Sequence, residues 1–392
     1  MKQRLDGLAV FRELLKDGAV AAFRELLQDC CRNDADNFVS HCGEFESLLF
    51  QQSDCWTAYL RRAVMESENV CIRNWASGAV TAVQEECLNR ELAFLDRLSQ
   101  VTLDDLTAGL DHAPDFLVGW RTEGGSIAQD YRQRMQEVGE KGYGIFARYH
   151  MFTVENGQLV PVKHPDPQQL EQLPGYEQER QKVIANTQAL LDGKPANNVL
   201  LYGDAGTGKS SAIKAIANNF AEQGLRLVEV KKNQLYQIPD LMDALAANPL
   251  KFILFIDDLS FTSNDDNFAA LKAILEGSVG GRAQNIAVYA TSNRRHLIKE
   301  TMTDRSGDDI HESDTRQELM SLSARFGLTV TFASPDRDRY LYIVGELAKQ
   351  YGVDLDEHTL AVRSEAFAIR MGGRSARVAK QFIELCKSGV QV

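Results

Sequence analysis

The segment Gly203-Asp204-Ala205-Gly206-Thr207-Gly208-Lys209-Ser210 follows the apolar run Asn198-Val199-Leu200-Leu201-Tyr202 without a gap. A strand, a glycine-rich loop and a lysine–serine pair in that order leave a chain few choices of fold. Successive backbone N–H groups of such a loop wrap a polyphosphate; the lysine meets its terminal phosphates and the serine hydroxyl joins a metal shell. Glycine is required because the loop needs left-handed backbone and close approach, which a Cβ blocks. A helix from about Ser210 to Glu222 then aims its positive end at the phosphates. The segment therefore predicts a nucleoside triphosphate site, with Ser211 at its margin.

Composition sets the frame around that site. The chain has 392 residues, enough for two or three domains with cores of their own. Its longest apolar stretches, such as Phe252–Ile256, are far shorter than the ~20 residues a bilayer crossing needs. The N-terminus alternates charge and apolar residues and lacks a signal-peptide core, so a cytoplasmic location away from membranes is expected. A net charge of −12 argues against a non-specific grip on nucleic acid, since that needs clustered Lys and Arg. Six of the seven cysteines precede residue 90, and none forms a C-x-x-C pair. Cys30, Cys31 and Cys42, with His41, fit no structural zinc spacing and read as reduced thiols.

From Leu5 to about Gln100, apolar residues recur at helical spacing. Leu8, Phe11, Leu14 and Leu15 form one stripe, and Phe23, Leu26 and Leu27 a second. Val70, Trp75, Val80 and Val83 form a third, and Leu88, Leu92, Leu95 and Leu98 a fourth. All four are expected to face a core. Residues 142–162 alternate and break at Asn156-Gly157, a hairpin signal. Three prolines within residues 165–174 read as a linker. Beyond it, LRLVEV (225–230), FILFI (252–256), IAVYA (286–290) and LTVTF (328–332) look like strands buried on both faces of a parallel sheet. After Pro335 only helical patterns remain, over residues 336–351, 356–370 and 374–386. The expected organisation is a helical domain (1–140), a hairpin and Pro-rich linker (141–174), an α/β nucleotide-binding domain (175–334) and a small all-α domain (335–392).

The chemistry near the loop extends downstream. FILFI ends in Asp257-Asp258, a carboxylate to hold Mg²⁺ and another to orient an attacking water. IAVYA ends in Thr291-Ser292-Asn293, whose amide can reach a γ-phosphate or that water. In order, GDAGTGKS, FILFIDD, YATSN, LSARFG and GGRSARVAKQF resemble the motif series of AAA+ ATPases. More narrowly, residues 170–390 resemble a bacterial family of predicted AAA+ ATPases catalogued as a domain of unknown function.

That resemblance implies a doubly wound parallel-sheet P-loop core with a C-terminal helical lid, ATP and Mg²⁺ as cofactors, and a homo-oligomer, by resemblance a hexamer. It assigns the phosphate loop to Gly203 through Ser211, metal coordination to Ser210 and Asp257, and water positioning to Asp258. Asn293 matches the first sensor and Arg325 the arginine finger that reaches a neighbouring subunit. Arg377 matches the second sensor, with Arg374 as fallback. Leu173-Pro174-Gly175-Tyr176 resembles the segment over the adenine base. Two departures stand out. Most AAA+ hydrolases carry Glu where this chain has Asp258, one methylene shorter. The segment 231–238 has an aromatic residue but no glycine, unlike the pore loop of protein unfoldases. The expected activity is ATP hydrolysis that remodels or loads a macromolecular partner, a protein client or DNA. The alternatives are a nucleotide-gated scaffold with little hydrolysis and a DNA-associated loader.

Overall fold

The computed structural model describes residues 1–108, 110–111, 115–260, 267–276, 283–293 and 324–390. The chain forms two compact units, residues 1–148 and 149–392.

The first unit is helical. The Phe23 ring stacks on Trp56 at 4.7 Å, and Phe45 meets Trp120 edge-on at 4.7 Å, so four large aromatics share one core. The Trp56 indole N–H donates to the Leu98 carbonyl at 2.9 Å, which satisfies its one polar atom. Three of the four predicted stripes are buried or packed against this core. The third is not: Val70, Trp75 and Val83 are exposed, and Cys71 and Ile72 are buried in their place. The helix there spans only Val70–Trp75, and the chain leaves helical geometry before the next helix starts at Ala82. A periodicity carried across that break points the wrong face inward. His41, next to Cys42, bonds through Nδ1 to the buried Asp29 carboxylate at 2.6 Å.

The second unit is built on a seven-stranded sheet of order β2-β1-β4-β5-β6-β3-β7. The strands are β1 (Met151–Glu155), β2 (Gln158–Pro161), β3 (Val199–Gly203), β4 (Leu225–Glu229), β5 (Lys251–Ile256), β6 (Ile286–Ser292) and β7 (Leu328–Phe332). All pairings are parallel except β1 with β2. β5 and β6 are buried almost throughout because helices cover both faces of a parallel sheet. The hairpin expected in the linker is part of this sheet. Met151, Phe152 and Thr153 pair in parallel with Leu227, Val228 and Glu229, so β1 continues the sheet beyond β4. The helical unit also runs further than residue 140, since Ile145–Arg148 is a helical turn rather than strand. Three helices, Arg337–Tyr351, Glu357–Arg370 and Ala376–Lys387, follow β7 and pack together through Tyr340, Ile343, Phe367 and Phe382. Among the described residues, no helix is long and apolar enough to cross a membrane.

Strand order fixes where a site can form. β3, first of the parallel core in sequence, sits between β6 and β7, while β4 and β5 lie on the other side of β6. The C-terminal ends of β3, β5 and β6 therefore open on one edge, at the point where the winding reverses, and such crevices take ligands in open α/β sheets.

Candidate functional site

The loop after β3 meets the helix Lys209–Asn219 at Gly208, whose φ of 92° only glycine adopts cheaply. Gly206 is likewise left-handed, and a Cβ there would press within 3.1 Å of Arg377 Cβ. Gly203 is the tightest position. Its φ is 143°, and a Cβ would lie 1.9 Å from the Phe332 carbonyl oxygen at the end of β7. Gly203→Ala should therefore destabilise the second unit by about 3 kcal/mol or prevent its folding, because the obstacle is backbone and cannot rotate away. Chemical denaturation of the full chain checks this; a transition unchanged from the wild type would contradict the packing described here.

Lys209 is buried, and its ammonium donates to the carbonyls of Gly203 and Asp204, both at 2.7 Å, and to Asn293 Oδ1 at 3.2 Å. Burial lowers its pKa, and the Asp204, Asp257 and Asp258 carboxylates pull the other way. The Ser210 hydroxyl donates to Asp257 Oδ1 at 2.6 Å. Asp257 also accepts from the Thr291 hydroxyl, so three elements converge on one carboxylate oxygen. Two hard oxygen donors side by side are the set that suits Mg²⁺, which is held through one or two protein oxygens and substrate phosphates.

Asp258 has φ 51°, left-handed backbone that Asp tolerates better than most residues. Its N–H donates to Thr291 Oγ1 at 2.9 Å. Its carboxylate accepts from Asn293 Nδ2 at 3.0 Å. One amide therefore contacts both Lys209 and Asp258, a link that motif spacing alone did not reveal. Thr291, to which the strand-end motif assigns no role, links Asp257 and Asp258 through its hydroxyl.

These groups line one cavity of about 1060 Å³. Lys209, Ser210, Asp257, Asp258, Asn293 and Arg377 all face it, as do Ala205, Gly206, Thr207, Gly208 and Ser211 of the loop. Gly203 and Asp204 do not line it, and they offer their carbonyls to the Lys209 ammonium. The Asp204 carboxylate accepts from the Ser334 N–H at 3.0 Å and hydroxyl at 2.6 Å, tying the loop to the chain after β7. The Thr207 hydroxyl closes the loop on the Asp204 carbonyl at 2.9 Å. The Arg377 N–H donates to the Gly206 carbonyl at 3.0 Å, so the last helix begins on the phosphate loop. Arg374, the fallback, is taken up by a two-pronged pair with Glu365 at 2.8 and 2.6 Å. Arg325 precedes β7 and does not line its own chain's cavity. The remaining residues of the quoted motifs, Phe261, Arg294-Arg295-His296-Leu297 and Leu322-Ser323, lie outside the described residues.

Leu173, Pro174, Ile343 and Leu347 add apolar walls to the cavity. Gly175 (φ 76°) and Tyr176 (φ 62°) make a left-handed corner there. Gly175 itself does not line the cavity; its N–H donates to Glu177 Oε1 at 2.6 Å. The Tyr176 ring stacks on Phe332 at 5.2 Å, its hydroxyl donates to the Ala333 carbonyl at 2.6 Å, and the Arg339 guanidinium covers it at 4.8 Å. Tyr176 thus reaches the cavity as a fixed wall and not as a swinging ring.

A Gly-rich loop after β3, a two-carboxylate end on β5 and a polar amide at the end of β6 between them make up a phosphate-loop nucleotide site on a parallel α/β sheet, with three helices after β7. The chain belongs to the family described as "Protein of unknown function (DUF815)", whose model matches residues 146–390. No curated protein matches the sequence. Among solved structures, a variant of RuvB from Thermotoga maritima is similar at 17% identity and a TM-score of 0.38, over 57% of this chain and 67% of that one. The T. maritima RuvB Holliday junction branch migration motor is similar at 16% identity and a TM-score of 0.34, over 56% and 72%. The FIGL-1 AAA domain, solved in complex with ADP, is similar at 17% identity and a TM-score of 0.39, over 55% and 72%.

Proposed function

We propose that this chain binds ATP with Mg²⁺ in the cavity above β3, β5 and β6 and hydrolyses it to drive a macromolecular partner. The observation that carries the reading is the convergence of Lys209, the Ser210–Asp257 pair and the Asn293–Asp258 pair on one cavity. In this reading Lys209 gives up its contact with Asn293 for the β- and γ-phosphates, and the loop N–H groups hold the phosphate oxygens. Ser210 and Asp257 would hold Mg²⁺, which when bound neutralises charge on the phosphates. Asp258 orients the attacking water and accepts its proton, and Asn293 fixes where that carboxylate points. Arg377 approaches the phosphates from the lid.

Arg325, outside its own cavity, serves the γ-phosphate of a neighbouring copy, which makes the working form a homo-oligomer, by family resemblance a hexamer. The helical unit recognises the partner, a protein client or DNA. A cytoplasmic setting fits seven free thiols, which suit a reducing compartment.

A second reading, a nucleotide-gated scaffold, is favoured by one feature. Asp258 is one methylene shorter than Glu, sits on left-handed backbone and has its carboxylate held by Asn293, features that suit slow turnover. Asp258→Asn separates the two. Under hydrolysis the variant keeps its ATP affinity and loses phosphate release by about 10²- to 10⁴-fold, the range for a positioned acid–base group. Under the scaffold reading the wild type already releases little phosphate, and the substitution barely changes it.

A further inference from the structure

The segment between β2 and the helix Glu177–Leu191 carries Pro165, Pro167 and Pro174, and it reads from sequence as a plain linker. In the structure it is a wall. Asp166, Pro167 and Gln168, then Gln172, Leu173 and Pro174, line the same cavity as the phosphate loop. Apart from a single 3₁₀ turn at Leu170–Gln172, the segment has no sheet or helix of its own, so contacts from elsewhere must hold residues 166–168.

That something is Asn218, one residue from the C-terminal end of the phosphate-loop helix. Its Nδ2 donates to the Asp166 carbonyl and to the Gln168 carbonyl, both at 2.8 Å. Its Oδ1 meets His150 Nε2 at 2.9 Å, just before β1. Both amide hydrogens and one acceptor site are engaged, which fixes the carboxamide's orientation. The Asp166 side chain accepts from the Gln168 N–H at 3.2 Å and tightens the turn between the two gripped carbonyls. A second tether, Gln350 Nε2 to the Glu171 carbonyl at 3.2 Å, joins the same segment to the lid helix.

We propose that Asn218 is a positioning residue for nucleotide recognition: it clamps residues 166–168 as the base-side wall of the cavity. The phosphate-loop helix thus serves both ends of the ligand. Its N-terminus holds the phosphates, and its C-terminal end, through Asn218, holds the wall that covers the nucleoside. The inference rests on the reading of the cavity as a nucleotide site. It adds a division of labour: ligands that carry a nucleoside depend on Asn218, and bare polyphosphate does not.

The test uses the full chain and compares ADP with inorganic tripolyphosphate, which engages the phosphate loop alone. Asn218→Ala removes the clamp. Asn218→Asp keeps the side chain's shape and its acceptor for His150 but cannot donate to the two carbonyls. Both variants should weaken ADP by roughly tenfold, as loss of two hydrogen bonds implies, while tripolyphosphate affinity stays within about twofold. Equal weakening of both ligands would overturn the proposal, since the damage would then reach the phosphate loop. Unchanged ADP affinity in folded variants would overturn it too. A wild type that binds neither ligand would instead sink the nucleotide-site reading itself, so the two failures are told apart.

Discussion

Lys209→Ala should abolish measurable nucleotide binding, weakening ATP by about 10²- to 10³-fold, or roughly 3–4 kcal/mol. Lys209 as a residue is only 6% exposed, and its ammonium sits among three oxygen acceptors. Its burial has been met in the folded chain, so phosphate binding exchanges the Asn293 amide oxygen for charged oxygens at little added cost. Truncation removes that cation and leaves the Asp204, Asp257 and Asp258 carboxylates without their counter-charge, which repels a polyanion further. Arginine should not rescue it, because a planar guanidinium cannot occupy a pocket shaped for a point charge between two carbonyls. Equilibrium titration with a fluorescent ATP analogue checks this. Unchanged affinity in a folded Lys209→Ala chain would remove the loop from the site.

The other large effect is expected at Arg325, where alanine should leave ATP affinity intact and lower hydrolysis by about 10³- to 10⁵-fold, the contribution of arginines that act on a neighbour's γ-phosphate. Its position before β7, away from its own cavity, motivates the claim. Mixing separates this from a local role. A Lys209→Ala subunit still offers its arginine to a neighbour whose phosphate loop is intact, so mixtures of Arg325→Ala and Lys209→Ala should regain part of the activity that neither shows alone. Mixtures as inactive as their components would confine Arg325 to its own subunit.

What the sequence made legible follows from how local each signal is. The apolar runs of β3, β5 and β6 end directly in their chemistry, at Gly203, Asp257 and Thr291-Ser292-Asn293, so strand and site were read together. The lid helices start at Asp336, Asp356 and Ser375, each a side chain that caps its helix N-terminus, and their bounds were close. The hairpin turn was equally visible, but the parallel pairing of Met151 with Leu227 joins residues 76 apart, and no local pattern carries that. The same holds for the tertiary hydrogen bonds that finish the site: Thr291 to Asp257, Ser334 to Asp204, Asn218 to the Pro-rich segment. Each joins a polar residue that looks ordinary in its own stretch to a group far along the chain. The misread stripe at Val70, Trp75 and Val83 failed for a different reason, since helical spacing predicts a buried face only while the helix lasts.

Steady-state phosphate release from ATP, followed across protein concentration with Mg²⁺ present and with it chelated, tests the central claim most directly. The account predicts Mg²⁺-dependent release by the wild type that rises faster than linearly with concentration until assembly saturates, and none from Lys209→Ala. ATP binding without release at any concentration, or release that persists in Lys209→Ala, would contradict it.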